Sequence, residues 1–172
     1  MTSSFDARFA ELFGAHFDRL YRYLDRLSGE PELAADLAQE AFVKLYARGS
    51  LPDQPEAWLI SVAMNLFRNV RTTRARRRRL LTASRAEAVL ADPPPSPDRA
   101  ASGPDSRGRV RSAVERLPER ERQMLLLRAE GYSYRDIAAA LAINEASVGT
   151  LLARAKRTFL NAYGAAAAEE RR

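Results

Sequence analysis

Residues 131–159 read GYSYRDIAAALAINEASVGTLLARAKRTF, and this stretch parses as two helices around a tight turn. Gly131 suits the end of a preceding helix, because glycine enters the left-handed C′ conformation without strain. Ser133 followed by Asp136 has the spacing of a capping box. Ile137, Ala138 and Leu141 form one apolar face. Ala142, Ile143 and Asn144 make the turn, with Asn144 placed to cap the next helix. There Val148, Leu152, Ala155 and Phe159 recur at i, i+4, i+7 and i+11, a single inward stripe. Ser147, Thr150, Arg154 and Arg157 face the other way, with Lys156 beside them. A short helix, a turn and a basic second helix are the parts of a DNA-reading helix-turn-helix. Spacing alone leaves open an ordinary hairpin whose basic face is only solvated, and the turn lacks a glycine.

Upstream of this stretch, residues 108–116 form a short helix with Val110 and Val114 inward. Pro118 starts another, where Glu119 and Glu121 complement the positive N-terminal end. Met124, Leu125 and Leu127 pack that helix on the hairpin. Residues 91–107, ADPPPSPDRAASGPDSR, are linker by their prolines. If residues 83–107 are all flexible, their relaxed span is about 27 Å. Recognition surfaces on adjacent duplex turns lie about 34 Å apart, so the linker would extend on DNA.

The N-terminal half carries three further helices. Residues 5–28 place Phe9, Phe13, Phe17, Leu20, Leu24 and Leu27 on one side. Pro31 opens a second helix, to about Ala47, with Leu33, Leu37, Ala41 and Leu45 inward and Phe42 and Tyr46 as a second apolar edge. Its acidic and aromatic strip, with Asp36, Gln39, Glu40 and Lys44, is either a solvated face or a surface for another protein. Residues 48–55 are a loop, by Gly49, Pro52 and Pro55. From Pro55 a third helix points Trp58, Leu59, Val62, Ala63, Leu66 and Val70 inward. Between Arg68 and Arg79 seven arginines stand with no acid among them. Arg68, Arg71 and Arg74 recur every third residue, and Asn65 continues that face backwards. The stripe suits a phosphate backbone, each neutralised phosphate steepening the log–log salt dependence by roughly 0.7 to 0.9.

Composition narrows the function. At 172 residues and 46% hydrophobic, the chain fits two small all-α domains joined by a flexible proline-rich linker. Absence of cysteine removes disulfides and thiol chemistry, and the lone His16 removes any multi-histidine metal site. No phosphate-cradling glycine loop or acidic cluster with metal spacing occurs, so neither an enzyme nor a bound cofactor or metal is expected. Charges throughout the first thirty residues and the absence of a long apolar run predict a cytoplasmic protein without membrane insertion. Net charge is +6 with pI near 10.1, which suits a polyanionic partner.

The order of parts resembles bacterial RNA polymerase sigma factors of the extracytoplasmic-function (ECF) group. DLAQEAFVKLY (residues 36–46) resembles their polymerase-binding helix. PEAWLISVAMNLFRNVRTTRARRR (55–78) resembles the segment that melts and reads the −10 element. ERLPERERQMLLLRAEGYSYRDIAAAL (115–141), with the helix after it, resembles the −35-reading domain. The resemblance spans about residues 5–162. It implies a region-2-like domain at 1–82 and a region-4-like helix-turn-helix domain at 108–163, on either side of the proline-rich linker at 83–107; the tail at 164–172 is expected to fray. It also implies an initiation factor that binds core RNA polymerase, through the largest subunit's coiled coil and the flap, and directs it to promoter DNA. Family members are often held by an anti-sigma partner. Asp36, Gln39, Glu40, Phe42 and Lys44 would dock on polymerase. Asn65, Arg68, Asn69, Arg71 and Arg74 would hold the −10 region, and residues 48–54 would lie where the family captures a flipped base. Tyr134, Arg135, Ser147, Thr150, Arg154, Lys156 and Arg157 would read the −35 element. Asp92, Asp98 and Asp105 would mimic nucleic acid in the polymerase channel. The alternative is a free-standing helix-turn-helix regulator, which has no need of the 36–46 strip.

Four positions depart from the family pattern. Met64 stands where a basic or polar residue is usual, and Asn69 where aspartate is frequent. Gly149 and Leu151 replace a frequent lysine and arginine. Glycine inside a helix costs about 1 kcal/mol relative to alanine. With Ala146 and Ala153, Gly149 forms a small-residue strip suited to close groove approach and thymine methyl contact.

Overall fold

The computed structural model describes residues 4–84 and 106–169. These form α1 (Ser4–Ser28), α2 (Pro31–Arg48), α3 (Pro55–Ser84), α4 (Ser106–Glu115), α5 (Glu119–Ala129), α6 (Tyr134–Leu141) and α7 (Glu145–Glu169), with no strand among the described residues. Linker positions 85–105, with Asp92, Asp98 and Asp105, and the last three residues of the tail lie outside them. The linker ends are tighter than expected, since α3 continues to Ser84 and α4 begins at Ser106. The tail expected to fray from 164 is α-helical to Glu169. Four alanines at 165–168 are the strongest helix formers, which explains the extension.

Helices α1, α2 and α3 make the first unit. Leu20, Tyr23, Leu24 and Leu27 of α1 are buried at helical spacing against Ala34, Leu37, Ala38, Ala41 and Leu45 of α2. Leu59, Ile60, Ala63 and Phe67 close the core from α3. Fully burying each leucine or phenylalanine contributes about 1.5–3 kcal/mol, which outweighs the weak helix propensity of the aromatic residues. Pro31 and Pro55 each sit in a first turn, where a missing N–H costs nothing. Gly49, at φ 72°, ends α2 in the left-handed conformation.

Helices α4 to α7 make the second unit, with α4, α5 and α6 all packed on α7. Gly131, at φ 85°, closes α5: its N–H donates to Arg128 O and the Tyr132 N–H to Leu127 O, the paired bonds of a Schellman turn. Ser133 and Asp136 form the capping box, with Asp136 N–H donating to Ser133 Oγ at 3.1 Å. The turn after α6 uses Ala142 at φ 53° in place of glycine, a conformation that costs an L-residue about 1–2 kcal/mol. Asn144 Oδ1 accepts from Ala146 N–H at 2.9 Å and so caps α7.

The two units also touch. α1 packs on α5, and α3 on α6. Glu130, at the end of α5, sits between Arg22 and Arg26 of α1. The Arg19 guanidinium lies 4.3 Å from the centre of the Tyr132 ring. Burial raises the Tyr132 phenol above its ordinary pKa, which keeps the ring neutral beneath that cation. Ser61 Oγ–H donates to Ala140 O at 3.3 Å. His16, beside Arg19, lies between α1 and α3, with its Nδ1 2.8 Å from an Arg19 nitrogen and its Nε2 3.5 Å from Glu56 Oε1.

Candidate polymerase-docking and DNA-reading surfaces

The outer face of α2 carries Asp36, Gln39, Glu40 and Lys44, all exposed, with Lys44 Nζ 3.4 Å from Glu40 Oε1. Phe42 does not belong with them. It is 2% exposed and packs against Phe9, Phe13 and Phe17, with ring centres 6.2, 5.0 and 5.8 Å away. The α1 phenylalanines cover the edge that the α2 sequence leaves open, so Phe42 supports the face from beneath. Val43 takes the outward place instead, at 59% exposure, four residues after Gln39 and seven after Asp36. An apolar residue in an otherwise charged row was the available signal, and the sequence reading missed it.

On α3, Asn65, Arg68, Asn69, Arg71 and Arg74 are all exposed, and Arg68 Nη1 donates to Asn65 Oδ1 at 3.0 Å. The run without acids in sequence is not without acids in space. Arg74 makes two hydrogen bonds to Glu30, at 2.7 and 3.1 Å, which raise its pKa above the ordinary arginine value. Arg71 Nη1 lies 3.6 Å from Glu119 Oε1. Met64 is 2% exposed, and it lines one cavity with Arg68, Glu119, Arg120, Gln123 and residues 140–142; its burial accounts for an apolar residue there. In the 48–54 loop, Arg48, Gly49, Ser50 and Asp53 are exposed while Leu51 packs on the core.

Helices α6 and α7 meet at 93°, the geometry of a helix-turn-helix. Val148, Leu152 and Ala155 are buried, and Ser147, Thr150, Arg154, Lys156 and Arg157 face solvent. Tyr134 and Arg135 are exposed at the start of α6. Arg154 Nε is held 3.3 Å from Glu121 Oε1. A Cβ added at Gly149 would meet the Tyr134 ring at 3.6 Å, so the ring edge closes one side of the small-residue strip. Leu151 is half-buried and packs against the core. A solvated hairpin would need none of this convergence of hydroxyls and guanidiniums on one face.

Together these surfaces are an acidic face, a basic helix and a helix-turn-helix in that order along one chain. Residues 12–79 match Sigma-70 region 2, and residues 107–159 match Sigma-70, region 4. The ECF RNA polymerase sigma factor SigE of Mycolicibacterium smegmatis is 31% identical over 150 residues, covering 86% of this chain and 57% of that one. The RNA polymerase sigma-H factor of Pseudomonas aeruginosa is 34% identical over 139 residues, covering 75% and 70%. A co-crystal structure of the sigma factor RpoE with the anti-sigma factor NepR from Bartonella quintana shares the fold, with a TM-score of 0.61 and 20% identity over 90% of this chain and 96% of that one. The chain belongs to the sigma-70 family of RNA polymerase sigma factors. Its region-4 match is of the ECF type, and SigE among its relatives bears the ECF name. It spans a little over half the length of SigE.

Proposed function

We propose that this chain is a transcription initiation factor, not an enzyme, that acts in the cytoplasm. It binds core RNA polymerase through Asp36, Gln39, Glu40, Lys44 and Val43 on α2. It brings polymerase to promoters whose −35 element is read from α6 and α7, and it helps open the −10 element with Asn65, Arg68, Asn69, Arg71 and Arg74. The observation that carries this reading is the exposed acidic face of α2 beside the basic face of α3. A free-standing regulator needs the second and has no use for the first. The structural neighbour was crystallised with an anti-sigma factor, and an anti-sigma protein is the regulatory partner expected for this chain as well.

Reconstitution tests it. The chain is mixed with core polymerase, co-migration is followed, and run-off transcription is assayed on fragmented genomic DNA. Transcripts that require the chain and vanish with Asp36→Arg plus Glu40→Arg are expected. DNA binding without any polymerase binding would overturn the reading.

A further inference from the structure

We infer that Glu121 is a positioning residue for −35 reading: it holds Arg154 by the inner nitrogen of its guanidinium, so that the outer end is presented to a guanine in the major groove. This rests on the reading of α7 as the −35 helix given above.

Arg154 stands on the exposed row of α7 between Thr150 and Arg157, one turn from each. Its place does not favour reading a base unaided. Base edges are met mainly by the first residues of a groove-reading helix. Arg154 lies nine residues after Glu145, about 13 Å further along the axis. An unheld arginine at that depth, on its long flexible stem, settles on the nearest phosphate, which carries no sequence information.

Arg154 is held. Its Nε lies 3.3 Å from Glu121 Oε1, on α5. Among the described residues, Lys156 and Arg157 of the same helix have no such carboxylate. The Arg154 side chain nevertheless remains 69% exposed. With Nε facing the carboxylate, Nη1 and Nη2 form the outer end of the side chain. Their parallel N–H donors are the fork that matches O6 and N7 of guanine.

The surroundings of Glu121 point the same way. Glu119 and Glu121 both lie in the first turn of α5, where the helix dipole favours acids. Glu119 serves that purpose while about half exposed. The Glu121 side chain is 14% exposed, and its Oε2 is buried without a hydrogen-bond partner. Withdrawing a carboxylate from water costs more than a helix dipole returns. An acid sunk at that position needs a cation beside it, and Arg154 supplies one.

The test uses the full chain, alone and bound to core polymerase, in selection from a randomised duplex library. The wild type should enrich one guanine position that Arg154→Gln erases. Glu121→Gln keeps the shape and removes the charge, and it should lower the preference for that guanine about tenfold, the scale of one bidentate contact. Glu121→Met, apolar and of similar length, should do the same. The other selected positions should not change, and Glu121→Gln added to Arg154→Gln should flatten nothing further. Circular dichroism melts report that each variant is folded. Removal of a negative charge beside DNA by itself predicts tighter binding to every duplex with the guanine preference intact, and that result would overturn the proposal. Equal weakening at all positions with a lowered melting temperature would overturn it too, because the ion pair would then serve only to hold α5 on α7. A wild type that selects no guanine, or one whose guanine survives Arg154→Gln, takes Arg154 off the bases and sinks the proposal. Absence of polymerase binding, scored by co-migration, would instead sink the initiation-factor reading and leave selection by the chain alone as the test of Glu121.

Discussion

Glu30 grips Arg74 with both carboxylate oxygens across the gap between α2 and α3, Nη1 to Oε1 at 2.7 Å and Nη2 to Oε2 at 3.1 Å. One cation of the basic stripe is therefore already paired within the chain. Replacing Glu30 with glutamine should free it. The log–log salt dependence of duplex binding should steepen by about 0.9, the increment for one more phosphate contact. Fluorescence anisotropy across a salt series measures this, and an unchanged slope would place Arg74 off the DNA path.

Phe42 and Val43 are adjacent in sequence and opposite in role. Phe42→Ala should cost about 3–5 kcal/mol of stability, the range for a buried phenylalanine, with loss of polymerase binding only through unfolding. Val43→Asp should leave the melting temperature within a degree or so, since the side chain is exposed, and should weaken polymerase binding about tenfold. Thermal melts and pull-downs on the two variants separate the cases. A stable Val43→Asp variant that binds normally would remove Val43 from the docking face.

Ala142 holds a left-handed conformation at φ 53° without the excuse of being glycine. Ala142→Gly relieves about 1 kcal/mol of that strain, partly offset by the greater freedom of the unfolded chain. The expected result is a small rise in melting temperature, about 1–3 °C for a chain of this size. A fall would show that the alanine methyl packs productively in the turn.

A Cβ added at Gly149 meets the Tyr134 ring at ordinary contact distance, so it fits there without displacing the ring. Gly149→Lys should raise overall DNA affinity by adding a phosphate-seeking charge and should weaken discrimination among −35 sequences by holding the backbone off the groove. Competition binding with variant −35 duplexes reads both effects. If neither affinity nor preference changes, position 149 does not face DNA.

What the sequence by itself determined is local. Helix periodicity, the Ser133–Asp136 box, Gly131 and the two N-terminal prolines each act within a few residues, so seven helices and a helix-turn-helix were legible among the described residues. The spacing of Val148, Leu152 and Ala155 announced the buried side of α7, and with it the exposed one. Tertiary structure alone decided which charges are free. Glu30 and Arg74 are 44 residues apart and Arg22 and Glu130 are 108 apart, and no periodicity links such positions. The burial of Phe42 likewise depended on phenylalanines from another helix, and that of Met64 on a domain beyond the linker. A charge or an aromatic ring shows its chemistry in the sequence, but its availability is settled by whatever the fold brings against it.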